Sequence, residues 1–180
     1  MQLTNPFKTL FTFLKLSISR YTPINLMGKQ LNDIFNFLPI SNTVATAGQP
    51  TEQQLPLLKE AGYQVVINLA PHTAENALSD EKESVESLGL EYVHIPVNFY
   101  QPTHEDFERF CTSMEENSQK SVFVHCAANM RVSVFMYLYR RFHEGLSDEQ
   151  TQIDLQKIWT PNTTWRQFMD QVIDRKGAPT

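Results

Sequence analysis

Cysteine is scarce: Cys111 and Cys126 are the only two in 180 residues. Two thiols make no disulfide framework, and their spacing fits no zinc site, so a reducing compartment is expected. Basic excess is also missing. The net charge of −5 argues against a general nucleic-acid binder, which needs a basic footprint against phosphate backbones. No apolar run is long enough to span a bilayer, and no internal repeat or low-complexity segment is visible. Acidic residues are absent before Asp33, where the charges are Lys8, Lys15, Arg20 and Lys29. There "FKTLFTFLKLSI" sets Phe7, Leu10, Phe11, Leu14 and Ile18 on one helical face. Lys15 interrupts what would be the core of a secretion signal, and no clear small-residue cleavage site follows. An amphipathic helix packed on its own domain, one lying at a membrane surface or touching a partner, and a targeting segment all stay open. The expected location is cytoplasmic, with membrane association through this helix left open.

What is present is a globular composition, 41% apolar and 11% aromatic, with length for one domain and a sizeable core. The division expected is an N-terminal amphipathic helical extension over 1–39 and a domain over 40–176. "TVATAGQP" predicts a short strand running into a turn at Gly48-Gln49-Pro50. Thr51 with Gln54 predicts a helix start, with Pro56 distorting its first turns and Gly62 ending it. "QVVINLA" is a nearly continuous apolar strand of the kind buried on both faces. "PHTAENAL" is a loop, and Ser79 is placed to cap a helix reaching Leu88. "LEYVHIPV" and "KSVFVHC" are further strands, separated by a helix capped by Thr103. "VSVFMYLYRRFHEG" is apolar almost all round, hence a central helix. Ser147 with Gln150 opens another, and a last helix follows Pro161. The alternation predicts an α/β fold, a mainly parallel four- to five-stranded sheet flanked by helices. Ligands of such sheets bind beyond the carboxyl ends of the strands. Ala70–Ala77, Asn98–Gln101 and the segment after His125 should therefore converge.

The stretch "VHCAANMRVS" carries the chemistry. A thiol is a weak nucleophile until deprotonated. A loop of backbone N–H groups opening a helix favours the thiolate and cradles an oxyanion. Arg131 adds a planar fork of donors matched to phosphate. Asn129 sits where a left-handed residue is often needed, and asparagine tolerates that conformation. Ser133 could place a hydroxyl near the sulfur. His125 reads as a residue that shapes the loop, Asn68 as one that orients it, and Arg140 and Arg141 as a solvated helix end. His72 and Glu75 are expected at the mouth.

This loop resembles the signature of the cysteine-dependent protein tyrosine and dual-specificity phosphatases. From about Ile40 to Arg141 the chain is most similar to the phosphatase-like domain of the beta-lactamase-hydrolase-like proteins. "AGQPTEQQLPLLKEAGYQVVINLAP", "YVHIPV" and "VHCAANMR" carry the likeness. It implies a dual-specificity-type phosphatase fold and Cys126 as nucleophile. Arg131 and the loop residues Ala127, Ala128, Asn129 and Met130 would bind the phosphoryl group, and Ser133 would assist breakdown of a phosphocysteine. Asn98 and His72 are further substrate-binding candidates. No cofactor and no metal are implied, and the partner is a phosphorylated substrate or another oxyanion. Two departures stand out. Four residues separate Cys126 from Arg131, where the superfamily at large has five. An ungapped alignment keeps Ser133 in place but sets Val132 at the arginine position. Asn98 stands where the family's aspartate protonates the leaving oxygen, and an amide cannot do so. General acid catalysis is worth ~100- to 10,000-fold. Glu105 and Asp106 lie nearby, in the first turn of a helix. Three functions follow: a phosphoester hydrolase of reduced power, a catalytically impaired phosphate-binding regulatory module, or a rhodanese-like persulfide carrier using the short loop.

Overall fold

Residues 30–177 are described by the computed structural model, and the amphipathic helix expected over residues 7–18 lies outside them. Five strands form one sheet in the order β1-β2-β5-β3-β4. They are β1 (Leu38–Pro39), β2 (Val44–Ala47), β3 (Val65–Asn68), β4 (Glu91–His94) and β5 (Val122–His125). All pairings are parallel except β1 with β2. β5 is the middle strand, with Val122 opposite Val44 on one side and Val65 on the other. "VFVH" is apolar on both faces because both faces are covered, as a central parallel strand requires.

Two helices cover one face: α1 (Leu55–Glu60) and α2 (Glu81–Ser87). They bring Leu55, Leu58 and Val85 against Val66 and Phe123. The other face carries α3 (His104–Glu116), α4 (Met130–Phe142), α5 (Asp148–Ile158) and α6 (Thr163–Gly177). Here Phe107, Phe110, Phe135, Trp165 and Phe168 pack against Val65, Ile67, Val122 and Val124. The chain leaves β2 and β3 toward the first face and leaves β5 toward the second. That reversal opens a crevice beyond the carboxyl end of β5, the standard ligand position in open α/β sheets.

Several boundaries differ from expectation for local reasons. α1 begins at Leu55, after the turn that Thr51 closes, so Pro56 sits in the first turn, where a missing N–H costs nothing. Gln54 Oε1 accepts from the Thr51 amide at 3.0 Å and caps that turn instead. α2 starts at Glu81 after Asp80, with no side-chain cap from Ser79. Thr103 and Ser147 do cap their helices, each in a reciprocal box with the residue three positions on. Arg140 and Arg141 are not a solvated helix end. They reach Asp154 at 2.6 Å and Asp148 at 2.7 Å and fasten α5 to α4. Part of the 1–39 segment joins the sheet: β1 pairs Leu38 with Thr46, and Ile34 is buried beside α1.

Candidate active site

β5 ends at His125 and α4 begins at Met130, so Cys126–Asn129 forms the turn between the central strand and the central helix. Asn129 has φ 64° and stands immediately before the helix. The left-handed residue therefore lies where the chain must fold sharply back. Its side-chain amide donates to the Phe35-adjacent Asn36 carbonyl at 2.8 Å and to Thr46 Oγ1 at 2.9 Å. Asn129 thus shapes the loop from behind. Asn36 returns the contact by donating its side-chain amide to the Ala128 carbonyl at 3.0 Å. The Ala127 carbonyl accepts from Asn76 Nδ2 at 2.9 Å and from the Gln49 amide at 3.3 Å. In a trans peptide the Ala128 N–H points opposite to that carbonyl, away from these tethers. Tying these carbonyls fixes the orientation of the loop peptides beside the positive end of α4.

A cavity of about 600 Å³ opens over this turn. The three strand-end loops meet around it as expected. Ala74, Glu75 and Asn76 come from beyond β3, Asn98, Phe99 and Tyr100 from beyond β4, and Ala127, Ala128, Met130 and Arg131 from the turn and α4. The Arg131 side chain is on the cavity wall, whereas Val132 is wholly buried in the core. The Arg131 Nε donates to the Val97 carbonyl at 2.9 Å, and the guanidinium lies 5.2 Å from the Phe99 ring centroid. One donor and one face of the guanidinium are thereby fixed. Cys126 is completely buried at the base of the turn.

Other expected residues fall elsewhere. His72 is not on this wall: its ring packs 4.2 Å from His94, and it lines a separate shallow depression with residues of α2. The Ser133 hydroxyl donates to the Met130 carbonyl at 3.0 Å and accepts from Trp159 Nε1 at 3.1 Å. It braces the start of α4 against the end of α5. Asn98 is on the wall, and its Oδ1 accepts from the Tyr100 amide at 2.9 Å, closing its own turn. Asp106 is held in the α3 cap by Thr103 and by Arg109 at 2.5 Å. Among the described residues, no group of three His, Cys, Asp or Glu side chains is arranged to hold a metal ion.

Beneath the loop, on the opposite sheet face, lies a buried polar cluster that the sequence did not announce. Glu81, at the start of α2, is 4% exposed. Its Oε2 accepts from Asn68 Nδ2 at 2.6 Å and from the Tyr92 hydroxyl at 2.9 Å. Its Oε1 accepts from Gln49 Nε2 and stands 3.2 Å from His125 Nε2. Burial by itself would raise the Glu81 pKa; the His125 charge and the donated hydrogen bonds outweigh it and bring the value down to about 2. The Tyr92 hydroxyl is pushed upward by burial and by the Glu81 charge. Asn68 Oδ1 also accepts from the Ala70 amide at 2.7 Å, so its side chain orients the start of the loop beyond β3. One carboxylate therefore ties together the ends of β2, β3 and β5. A glutamate in a first helical turn ordinarily reads as dipole complement, so nothing in the pattern pointed inward.

A family model described as "DSP-PTPase phosphatase fused to NAD+ kinase" matches residues 16–175. The beta-lactamase hydrolase-like protein of Agrobacterium fabrum (strain C58) is 30% identical over 95 residues, covering 51% of this chain and 22% of that protein. The chain thus spans less than a quarter of that relative's length. A crystal structure from Shewanella putrefaciens CN-32, named a candidate phosphatase of the DUF442 group, is 35% identical with TM-score 0.73, covering 82% of this chain and 97% of that one. The structure of Tk-PTP in its active form matches with TM-score 0.66 at 19% identity, covering 78% and 97% of the two chains. At that identity the likeness concerns the fold alone.

Proposed function

The chain belongs to the family of dual-specificity-type protein tyrosine phosphatases described as fused to NAD+ kinase, and on that footing we propose that it is a cysteine-dependent hydrolase of phosphoesters. The observation that carries the reading is the turn from Cys126 to Arg131. It sits between the central strand and helix, its Ala127 carbonyl is tied outward, and Arg131 stands on the cavity wall. In the first step the Cys126 thiolate attacks phosphorus, an S–P bond forms, and the bond to the leaving oxygen breaks. In the second step water attacks phosphorus, the S–P bond breaks, and the thiolate and inorganic phosphate are restored. Loop amides and the Arg131 fork neutralise the charge on the phosphoryl oxygens in both steps. Ser133 supports this by holding the Met130 carbonyl in place, with Trp159 behind it. With Asn98 in place of a carboxylic acid, aryl phosphates, whose leaving groups need little protonation, are turned over faster than alkyl phosphates.

Hydrolysis of an aryl phosphate by Cys126→Ser and Arg131→Lys variants tests the reading. Cys126→Ser should fall to the rate without protein. Arg131→Lys keeps the charge but loses the planar fork, and kcat/KM should drop ~100-fold. Full activity in Cys126→Ser removes the mechanism.

A further inference from the structure

The proposed reaction lacks a proton donor at Asn98, and we infer that Glu75, on the loop beyond β3, supplies the leaving-group proton; this inference rests on the phosphoester hydrolase reading above. Among the described residues lining the 600 Å³ cavity, Glu75 carries the one carboxyl group. It shares that wall with Asn98 and Arg131. Its backbone is held in place. The Ala74 amide donates to Pro71 O at 2.9 Å and the Ala77 amide to Ala74 O at 3.0 Å, so residues 71–77 form two successive turns. The next residue, Asn76, donates its side-chain amide to the Ala127 carbonyl at 2.9 Å. Glu75 is thus tied, one residue away, to the peptide that follows the nucleophile. The other nearby carboxyls are placed differently. Neither Asp106 nor Glu105 lines the cavity.

The proton balance closes on this one side chain. As the bond between phosphorus and the leaving oxygen breaks, the Glu75 carboxyl gives its proton to that oxygen and the product departs as an alcohol. The resulting carboxylate takes a proton from the water that attacks the phosphocysteine. Phosphate and the Cys126 thiolate are released, and Glu75 is again a carboxyl.

The test compares Glu75→Gln with the parent protein on a series of phosphate monoesters that runs from a nitrophenyl to a simple alkyl leaving group. Glu105→Gln serves as the rival. Expected for Glu75→Gln is a loss of ~100-fold or more on the alkyl ester and less than about threefold on the nitrophenyl ester, the signature of a missing general acid. The rate then depends more steeply on leaving-group basicity. Glu105→Gln should match the parent protein across the series. Equal effects of Glu75→Gln on both ester types, or no effect, overturn the inference while leaving the hydrolase reading intact. A steepened dependence in Glu105→Gln instead also overturns it. Turnover of neither ester by the parent protein removes the hydrolase reading and the inference together.

Discussion

Glu81 shows what one side chain can hold. A buried carboxylate is tolerable only when paired and hydrogen-bonded, and this one meets Gln49, Asn68, Tyr92 and His125, each from a different part of the sheet edge. Removing its charge leaves His125, itself fully buried, without its partner. Glu81→Gln should therefore cost roughly 3 kcal/mol at neutral pH, measured by urea unfolding. The pH dependence has a definite sign. The folded-state value of about 2 lies below the usual 4.5, so the contribution is complete above about 4.5 and is lost as pH falls toward about 2. The deficit of the variant relative to the parent protein should narrow through that interval. A deficit independent of pH would mean that the carboxylate charge is not what stabilises the cluster. At this scale the sequence was legible for the left-handed place of Asn129 and for Asn98 and Arg131 as neighbours around one cavity. It was silent on Glu81, Asn36 and Asn76, because a polar residue in a loop or first helical turn looks the same whether it faces water or the core. His72 was misplaced because a loop beyond a strand end has two sides, and the cavity is on only one.

Among the elements, the turn after β5 depends on a close approach from the turn after β2. The Gly48 amide donates to Phe35 O at 2.6 Å, and Gly48 pairs with Ala128 in an isolated bridge. A Cβ at Gly48 would come within 2.9 Å of the Phe35 ring, 3.0 Å of Phe35 O and 3.1 Å of Ala127 O. Two of those three are backbone atoms that cannot swing aside. Gly48→Ala should destabilise the fold by about 1–3 kcal/mol and push the Ala127 peptide out of position. Thermal melting with and without added phosphate checks both effects: the melting temperature should fall, and the rise on adding phosphate should shrink. An unchanged phosphate response would separate the bridge from phosphate binding. The caps at Thr103 and Ser147 and the long central helix were readable in advance, since each rests on local hydrogen bonds or on an unbroken apolar run. β1 was not, being two residues long and paired with a strand that follows it. The start of α1 was misread because a proline signals a helix interior fault or a helix first turn equally well, and only the tertiary fold decides.

Across the whole molecule, charge and position work in opposite senses. The chain is acidic, with net charge −5, yet Arg131 and the turn residues Ala127 and Ala128 line its cavity. On the proposed function, selectivity for an anion is local, set at Arg131 and the turn after β5 rather than by overall charge. Among the described residues, no helix is long and apolar enough to cross a membrane. The fold class followed from the alternation of apolar runs with capped helical segments, whereas the strand order and the polar tethers on the turn after β5 emerge only once strands distant in sequence are neighbours. Everything proposed for the reaction turns on a covalent bond between phosphorus and Cys126. Rapid acid quenching during turnover of an aryl phosphate, followed by peptide mass mapping, tests for that bond directly. The expected result is a phosphoryl group on the peptide containing Cys126, acid-stable and absent in Cys126→Ser. Sustained turnover with that peptide unmodified, or a phosphoryl group found on another residue, would contradict it.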